Sequence, residues 1–229
     1  MKTTLAFDIY GTLIDVHGLT QLLATRLGEG AAAFSSRWRE KQLEYSFRRG
    51  LMRNYVDFAT CTAHALEWTD RTLGTSLDAA FKKQLIAGYA TLPAFAEAST
   101  AVTEASSRGY RLFAFTNGTL SAMGPLLERA GLRPAFLDVV STDELKTFKP
   151  DPAAYAHFLR RADAVGTHTW LVSSNPFDVT GALSAGLHAA WICRDPRVVF
   201  DPWEIQPTVT VSSLCDLVSS IEDAHTRLA

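Results

Sequence analysis

Short apolar runs closed by polar or glycine residues recur along this chain. Thr4–Phe7 ends at Asp8 and runs into Tyr10-Gly11-Thr12. Arg111–Phe115 ends at Thr116-Asn117-Gly118, and Thr169–Val172 ends at Ser173-Ser174-Asn175. Leu137–Val140 and Ala189–Ile192 have the same character. Runs this short, apolar throughout rather than alternating, predict strands buried on both faces. The segments between the later runs predict helices. Ser121–Ala130 precedes Gly131, Pro152–Ala164 opens on a favoured first-turn proline and stops before Gly166, and Asp178–Ser184 precedes Gly186. Strands alternating with helices imply right-handed crossovers, hence an α/β fold with a doubly wound, Rossmann-like parallel sheet.

One connection breaks this rhythm. About a hundred residues separate the first strand from the Arg111 strand, far more than a crossover needs. The intervening sequence reads as helical. Ala31–Arg49 lies between Gly30 and Gly50 with no glycine or proline inside, and Tyr55–Trp68 and Asp78–Tyr89 continue the pattern. Val102–Arg108, closed by Gly109, reads as the crossover helix returning to the sheet. The expected organisation is a Rossmann-like core, 1–15 plus 95–229, with an all-helical cap at 16–94.

Composition narrows the partners more than the fold. The 229 residues are 47% hydrophobic and 20% charged, with a formal net charge of -2. The longest basic clusters are pairs such as Arg48-Arg49 and Lys82-Lys83, so there is no footprint for nucleic acid. No apolar stretch approaches the roughly 20 residues of a membrane helix, and the apolar run after Lys2 meets Asp8 too early for a signal-peptide core. A soluble cytoplasmic protein is the default expectation. Cys61, Cys193 and Cys215 are widely spaced and odd in number, which predicts reduced, buried thiols.

The polar strand endings matter most, because open parallel sheets bind ligands beyond the carboxyl ends of their strands. Asp8 with Thr12, Thr116-Asn117, and Ser173-Ser174-Asn175 with Asp178 gather at three such ends. Lys149-Pro150-Asp151 lies in the loop after the Leu137–Val140 strand. Each residue has an ordinary use: Asp8 or Asp178 as a cap, Lys149 as a solvated cation, Thr116, Ser173 and Asn175 as partners of loop backbone. Together at one edge they point to chemistry. There is no G-x-S-x-G, G-x-x-x-x-G-K-[ST] or G-x-G-x-x-G, and His17, His64, His157, His168, His188 and His225 form no metal-ligand spacing. A carboxylate nucleophile, Asp8, is the economical reading.

At this point the chain resembles the haloacid dehalogenase superfamily. Phe7-Asp8-Ile-Tyr-Gly-Thr-Leu matches its first motif and Phe115-Thr-Asn117 its second. Phe148-Lys149-Pro-Asp-Pro matches the third and Ser173-Ser-Asn-Pro-Phe-Asp178 the fourth, in order over nearly the whole chain. The phosphatases of the superfamily carry a second aspartate two residues after the nucleophile and an acidic metal ligand in the fourth motif. Those positions are Tyr10 and Ser174 here. Without a metal, an anionic nucleophile would meet strong repulsion from a phosphate dianion. Trp38-Arg39-Glu-Lys-Gln-Leu-Glu-Tyr45 resembles the cap helix of the L-2-haloacid dehalogenase branch.

That resemblance implies hydrolysis of short L-2-haloalkanoic acids to D-2-hydroxy acids and halide, through an ester on Asp8 and with no cofactor or metal. It implies Arg39 at the departing halide, helped by Asn117, with Tyr10, Leu43, Phe58 and Phe177 as an apolar pocket. The substrate carboxylate would rest near Tyr10, Thr116 and Asn117, with Ser173 and Lys149. Asp178, held by Lys149 and Asn175, would direct water onto the ester, with Thr12, Tyr155 and Ser173 in support. A homodimer is also implied. Glu40 and Phe177 depart from the branch's usual glutamine and tryptophan. A Mg²⁺-dependent phosphatase and a catalytically silent binding protein of the same fold are the other readings open to the sequence.

Overall fold

The apolar runs do form strands. A computed structural model describes residues 2–228, with β1 (Thr4–Asp8), β2 (Arg111–Thr116), β3 (Asp138–Ser141), β4 (Thr169–Ser173), β5 (His188–Ile192) and β6 (Val209–Val211) in one sheet. The order is β3-β2-β1-β4-β5-β6, and every neighbouring pair is parallel. The direction of winding reverses at β1, which makes its carboxyl end the switch point where such sheets bind ligands. Register brings the motif residues there together: Asp8 pairs with Phe115, just before Thr116, and Phe7 pairs with Val172, just before Ser173.

Alternation along the strands feeds two cores. Leu5, Phe7, Leu112, Ala114, Trp170 and Val172 pack on one face with α5 (Ala98–Ser107), α6 (Leu120–Arg129) and α9 (Leu217–Leu228). Ala6, Phe113, Phe115, Leu171 and Ala189 pack on the other with α7 (Pro152–Ala162) and α8 (Pro176–Ser184). Between β1 and α5 the chain is helical, with α1 (Thr20–Leu27), α2 (Ala31–Leu51), α3 (Phe58–Leu73) and α4 (Ala79–Gly88). The first core continues without a break into this segment through Phe34, Trp38, Leu66, Phe81 and Leu85. Asp57 and Asp78 cap α3 and α4 by accepting N–H groups at 2.7 and 2.8 Å, each worth about 1 kcal/mol.

Several boundaries differ from expectation. The long helix does not stop at Gly50 but runs through it to Leu51. The next begins at Phe58, not Tyr55, because Asp57 is its cap. The crossover helix starts at Ala98, where a small-residue face (Ala98, Ala101, Ala105) is buried. Leu137 stays outside β3 and is 62% exposed. α7 ends at Ala162 because Asp163 turns left-handed at φ 45°. α8 starts two residues earlier, with proline in its first turn and Asp178 inside it. α1, β6 and α9 were not anticipated. β6 is only three residues long, and α9 shows its apolar face, Leu217, Val218, Ile221 and Ala224, once packed on the sheet. The three thiols are unpaired, but only Cys61 is buried; Cys193 is half-buried and Cys215 exposed, which corrects the uniform expectation. Among the described residues no helix is long and apolar enough to cross a membrane.

Candidate active site

Asp8 is buried at the end of β1, yet both its oxygens are hydrogen-bonded. Oδ1 accepts from Lys149 Nζ at 2.8 Å. Oδ2 accepts from Asn175 Nδ2 at 2.7 Å, Thr12 Oγ1 at 2.9 Å and Ser173 Oγ at 3.3 Å. Four donors from three segments fix the carboxylate's plane. The turn that returns Thr12 to Asp8 needs Gly11, whose φ is +89° and whose Cβ would lie 3.3 Å from Ser174 Oγ. Arg194 clamps the same turn, donating to the Gly11 and Thr12 carbonyls at 3.1 and 2.8 Å and to Glu97 Oε1 at 2.8 Å. Nothing in the sequence around Arg194 marks it, since its role depends on the loop after β5 folding back over β1.

Lys149 is 1% exposed and spends all three protons on protein oxygens. They go to Asp8, to the Phe115 carbonyl at 3.1 Å and to Asp178 Oδ2 at 2.6 Å. It therefore has no proton left for a substrate carboxylate, which corrects that secondary assignment. Burial disfavours its ammonium, but Asp178 and Asp8 outweigh burial and hold its pKa above the usual lysine value. Asp178 is completely buried in the first turn of α8. Burial and the nearby Asp8 push its pKa up to about 6, against the lowering effect of Lys149 and of Tyr155. Tyr155 donates to Asp178 Oδ1 at 2.8 Å, and burial together with Asp178 keeps its phenol protonated far above the normal range. Gly181 makes room for this contact: a Cβ there would lie 2.3 Å from the Tyr155 hydroxyl.

Asn117 braces the lysine loop, its Oδ1 accepting from Lys149 N–H at 2.8 Å and Thr142 Oγ1 at 3.1 Å. Among the described residues its Nδ2 donates to no protein group, which leaves that amide free for a ligand. Thr116 Oγ1 accepts the Gly118 N–H at 2.9 Å and shapes the turn after β2.

Arg39 reaches this edge from α2. Its Nη2 lies 3.4 Å from both the Tyr10 carbonyl and Asn175 Oδ1, and its Nη1 donates to Gln42 Oε1 at 2.7 Å. Tyr10 stacks on Phe58 with centroids 6.0 Å apart, and Leu43 packs against the same cluster. A cavity of about 50 Å³ lies between Tyr10, Phe58, Tyr89 and the Gly118–Thr119 turn. Since one water needs roughly 10–15 Å³, the space suits a ligand of a few heavy atoms. Beside it, Arg39, Leu43, Asn175 and Arg194 face an open groove of about 530 Å³. Phe177 does not line the cavity; it turns toward α2 and packs edge-on against Phe47, 5.0 Å away. Tyr89, Met123 and Gln42 were missed. Gln42 follows Arg39 at the i+3 spacing that brings side chains together on a helix, a signal present in the sequence; the other two carry none.

With Asp8, Lys149 and Asp178 joined and Arg39 above them, comparison with known proteins becomes informative. The profile of haloacid dehalogenase-like hydrolases matches residues 2–186. The chain belongs to that family. Relatives within it include (S)-2-haloacid dehalogenases. An (S)-2-haloacid dehalogenase of Pseudomonas sp. (strain YL) is 35% identical over 96% of this chain and 94% of its own. Haloacetate dehalogenase H-2 of Moraxella sp. (strain B) is 34% identical over 95% and 96%. Among solved structures, the L-2-haloacid dehalogenase from Xanthobacter autotrophicus with chloropropionic acid covalently bound superimposes with a TM-score of 0.89. It is 28% identical and the match covers 97% of this chain and 99% of that one. The family's Rossmann-like α/β core is thus the sheet described above.

Proposed function

We propose that this protein hydrolyses short L-2-haloalkanoic acids to D-2-hydroxy acids, with Asp8 as covalent nucleophile. The observation that carries the proposal is the Asp8 carboxylate, fixed by four donors at the sheet's switch point, with Arg39 brought to the same edge through Asn175, whose amide meets both side chains. Kinship with (S)-2-haloacid dehalogenases over nearly the full length supports the substrate class.

One Asp8 oxygen attacks C2 from the face opposite the halogen. A C–O bond forms as the carbon–halogen bond breaks, the bonding pair leaves with the halide, and C2 inverts. Arg39 stabilises the departing anion, and the free Asn117 amide assists. The fixed carboxylate and the walls of Tyr10, Leu43 and Phe58 hold the pair near the attack geometry. Water then attacks the carboxyl carbon of Asp8. Asp178, oriented by Lys149 and Tyr155, takes its proton, and Thr12, Ser173 and Asn175 donate to the tetrahedral oxyanion. Each turnover consumes one water and releases one hydroxy acid, one halide and one proton, and the Asp8 carboxylate is regenerated with one oxygen taken from water.

No cofactor enters this scheme. What supports metal independence is the Lys149 ammonium, which bridges Asp8 and Asp178 where a divalent cation would need those oxygens for itself. Residues 16–94 act as a cap over the core 1–15 plus 95–229 in this reading, because they supply Arg39, Leu43, Phe58 and Tyr89. A cytoplasmic homodimer completes it.

The test is halide release from L- and D-2-chloropropionate with and without EDTA, using wild type and Asp8→Asn. Release from the L isomer, indifferent to EDTA and absent in the variant, is the expected result. Loss of release on chelation would overturn the metal-free scheme. Turnover of p-nitrophenyl phosphate with no halide release would overturn the substrate class.

A further inference from the structure

Arg39 is held by a side chain that the proposed chemistry has not used. Gln42 lies one turn along α2 and is completely buried. Among the described residues its Oε1 takes the only short hydrogen bond that Arg39 makes, at 2.7 Å. Its Nε2 donates to Thr62 Oγ1 on α3, and Thr62 Oγ1 donates onward to the Phe58 carbonyl at 2.8 Å. Trp38 Nε1 ties the same turn, donating to the Thr62 carbonyl at 2.9 Å. Tyr89, at the cavity wall, packs edge-on against Trp38 of the same turn, 5.3 Å between centroids. The arginine's position is therefore transmitted from α3 through one amide.

The kind of group matters as much as its place. Arg39 contacts an amide oxygen of Gln42, an amide oxygen of Asn175 and the Tyr10 carbonyl, all neutral. No ion pair with a carboxylate forms among the described residues, so its charge is left for an incoming or departing anion. A carboxylate at position 42 would pair with the guanidinium in a low-dielectric site and compete with the halide.

We propose that Gln42 is the positioning residue of Arg39, aiming its guanidinium at the departing halide while leaving its charge free. The inference rests on the dehalogenase reading given above. It is tested with Gln42→Glu, nearly isosteric, and Gln42→Met, which removes the acceptor; should the second fail to fold, the first carries the test alone. Thermal unfolding establishes that each variant is folded. The expected result is a loss of about tenfold or more in kcat for 2-chloropropionate. The loss for 2-bromopropionate is smaller, because a better leaving group needs less help. The bromo-to-chloro rate ratio therefore rises, and KM changes little. A purely structural defect would lower both rates equally and leave that ratio unchanged, which overturns the inference. A second measurement does not depend on turnover: chloride-35 line broadening by the resting protein, expected for wild type and reduced in Gln42→Glu. If wild type broadens the line in a Gln42-dependent way but releases no halide from any haloacid, the dehalogenase reading fails and the positioning role stands. If wild type neither turns over nor broadens the line, both fail.

Discussion

The two sides of the site are built differently. On the sheet side Asp8 is gripped by Asn175, Lys149 and Thr12 at 2.7, 2.8 and 2.9 Å, and the lysine is locked to Asp178 at 2.6 Å. On the helical side Arg39 meets the sheet only through contacts of 3.4 Å, and its one short bond stays within its own helix. A nucleophile must be held along a single line of attack, and a closed network of buried charges does that at a cost in desolvation. A halide is spherical and varies in radius, so the group that receives it needs charge and approximate aim. Rigidity is concentrated where direction matters.

Breaking the sheet side should have the largest effects. Asp8→Asn removes the proposed nucleophile and is expected to reduce halide release by about ten-thousandfold or more, while unfolding shows an intact fold. Lys149→Met leaves two buried carboxylates facing each other without their cation. The expected cost is roughly 3–5 kcal/mol in denaturant-monitored stability, together with loss of turnover. Retained activity in that variant would mean that the lysine is only structural.

A smaller effect sharpens the second layer. Gly181→Ala puts a Cβ 2.3 Å from the Tyr155 hydroxyl and 2.7 Å from Pro150 Cβ, so something must move. Overpacking of this kind costs about 1–3 kcal/mol, and displacement of Tyr155 from Asp178 should slow ester hydrolysis. Tyr155→Phe removes the oxygen that clashes, so the double variant should lose less stability than the sum of the two singles. Strict additivity would show that the two residues are not coupled as their contact implies.

The gentlest probe is pH. Asp178 has a folded-state pKa of about 6, raised by burial and by Asp8 above the ordinary 3.8. The folded protein therefore holds a proton that the unfolded chain has lost between those values. Its contribution to stability is complete below about 4 and disappears as pH rises through about 6. Asp178 must be ionised to accept a proton from water, so the rate of ester hydrolysis, and kcat where that step limits turnover, should fall on the acid side. Esterification removes the charge of Asp8, one of the causes of the upward shift. Where ester hydrolysis limits turnover, the acid limb of kcat should therefore lie below the resting value of about 6. A kcat limb at or above about 6 would contradict the coupling between the two aspartates.

Much of the molecule was legible in one dimension. Five of six strands were marked by apolar runs with polar endings, because a parallel sheet buried on both faces tolerates no polar residue until the chain leaves it. The excess length before β2 revealed the helical insertion. Thr12, Ser173 and Asn175 stood out because they sit at or just past strand ends, which parallel register places on one edge, while Lys149 comes from the longer loop after β3. β6 and α9 were not visible, since a three-residue strand and a terminal helix take their stability from the sheet they pack on rather than from local pattern.

By itself, then, the sequence determined the sheet, the insertion and the carboxylate at the switch point, because these follow from which residues can be buried and where chains must turn. Only the tertiary structure decided the rest. Lys149 spends its three protons on Asp8, Asp178 and the Phe115 carbonyl, and so is no substrate ligand. Phe177 turns toward Phe47 rather than into the cavity. Arg194 holds the turn after Asp8 from about 180 residues away in sequence, and Gln42 anchors Arg39. These are questions of which partner reaches a side chain first, and the answer depends on distances between segments that the linear order does not contain.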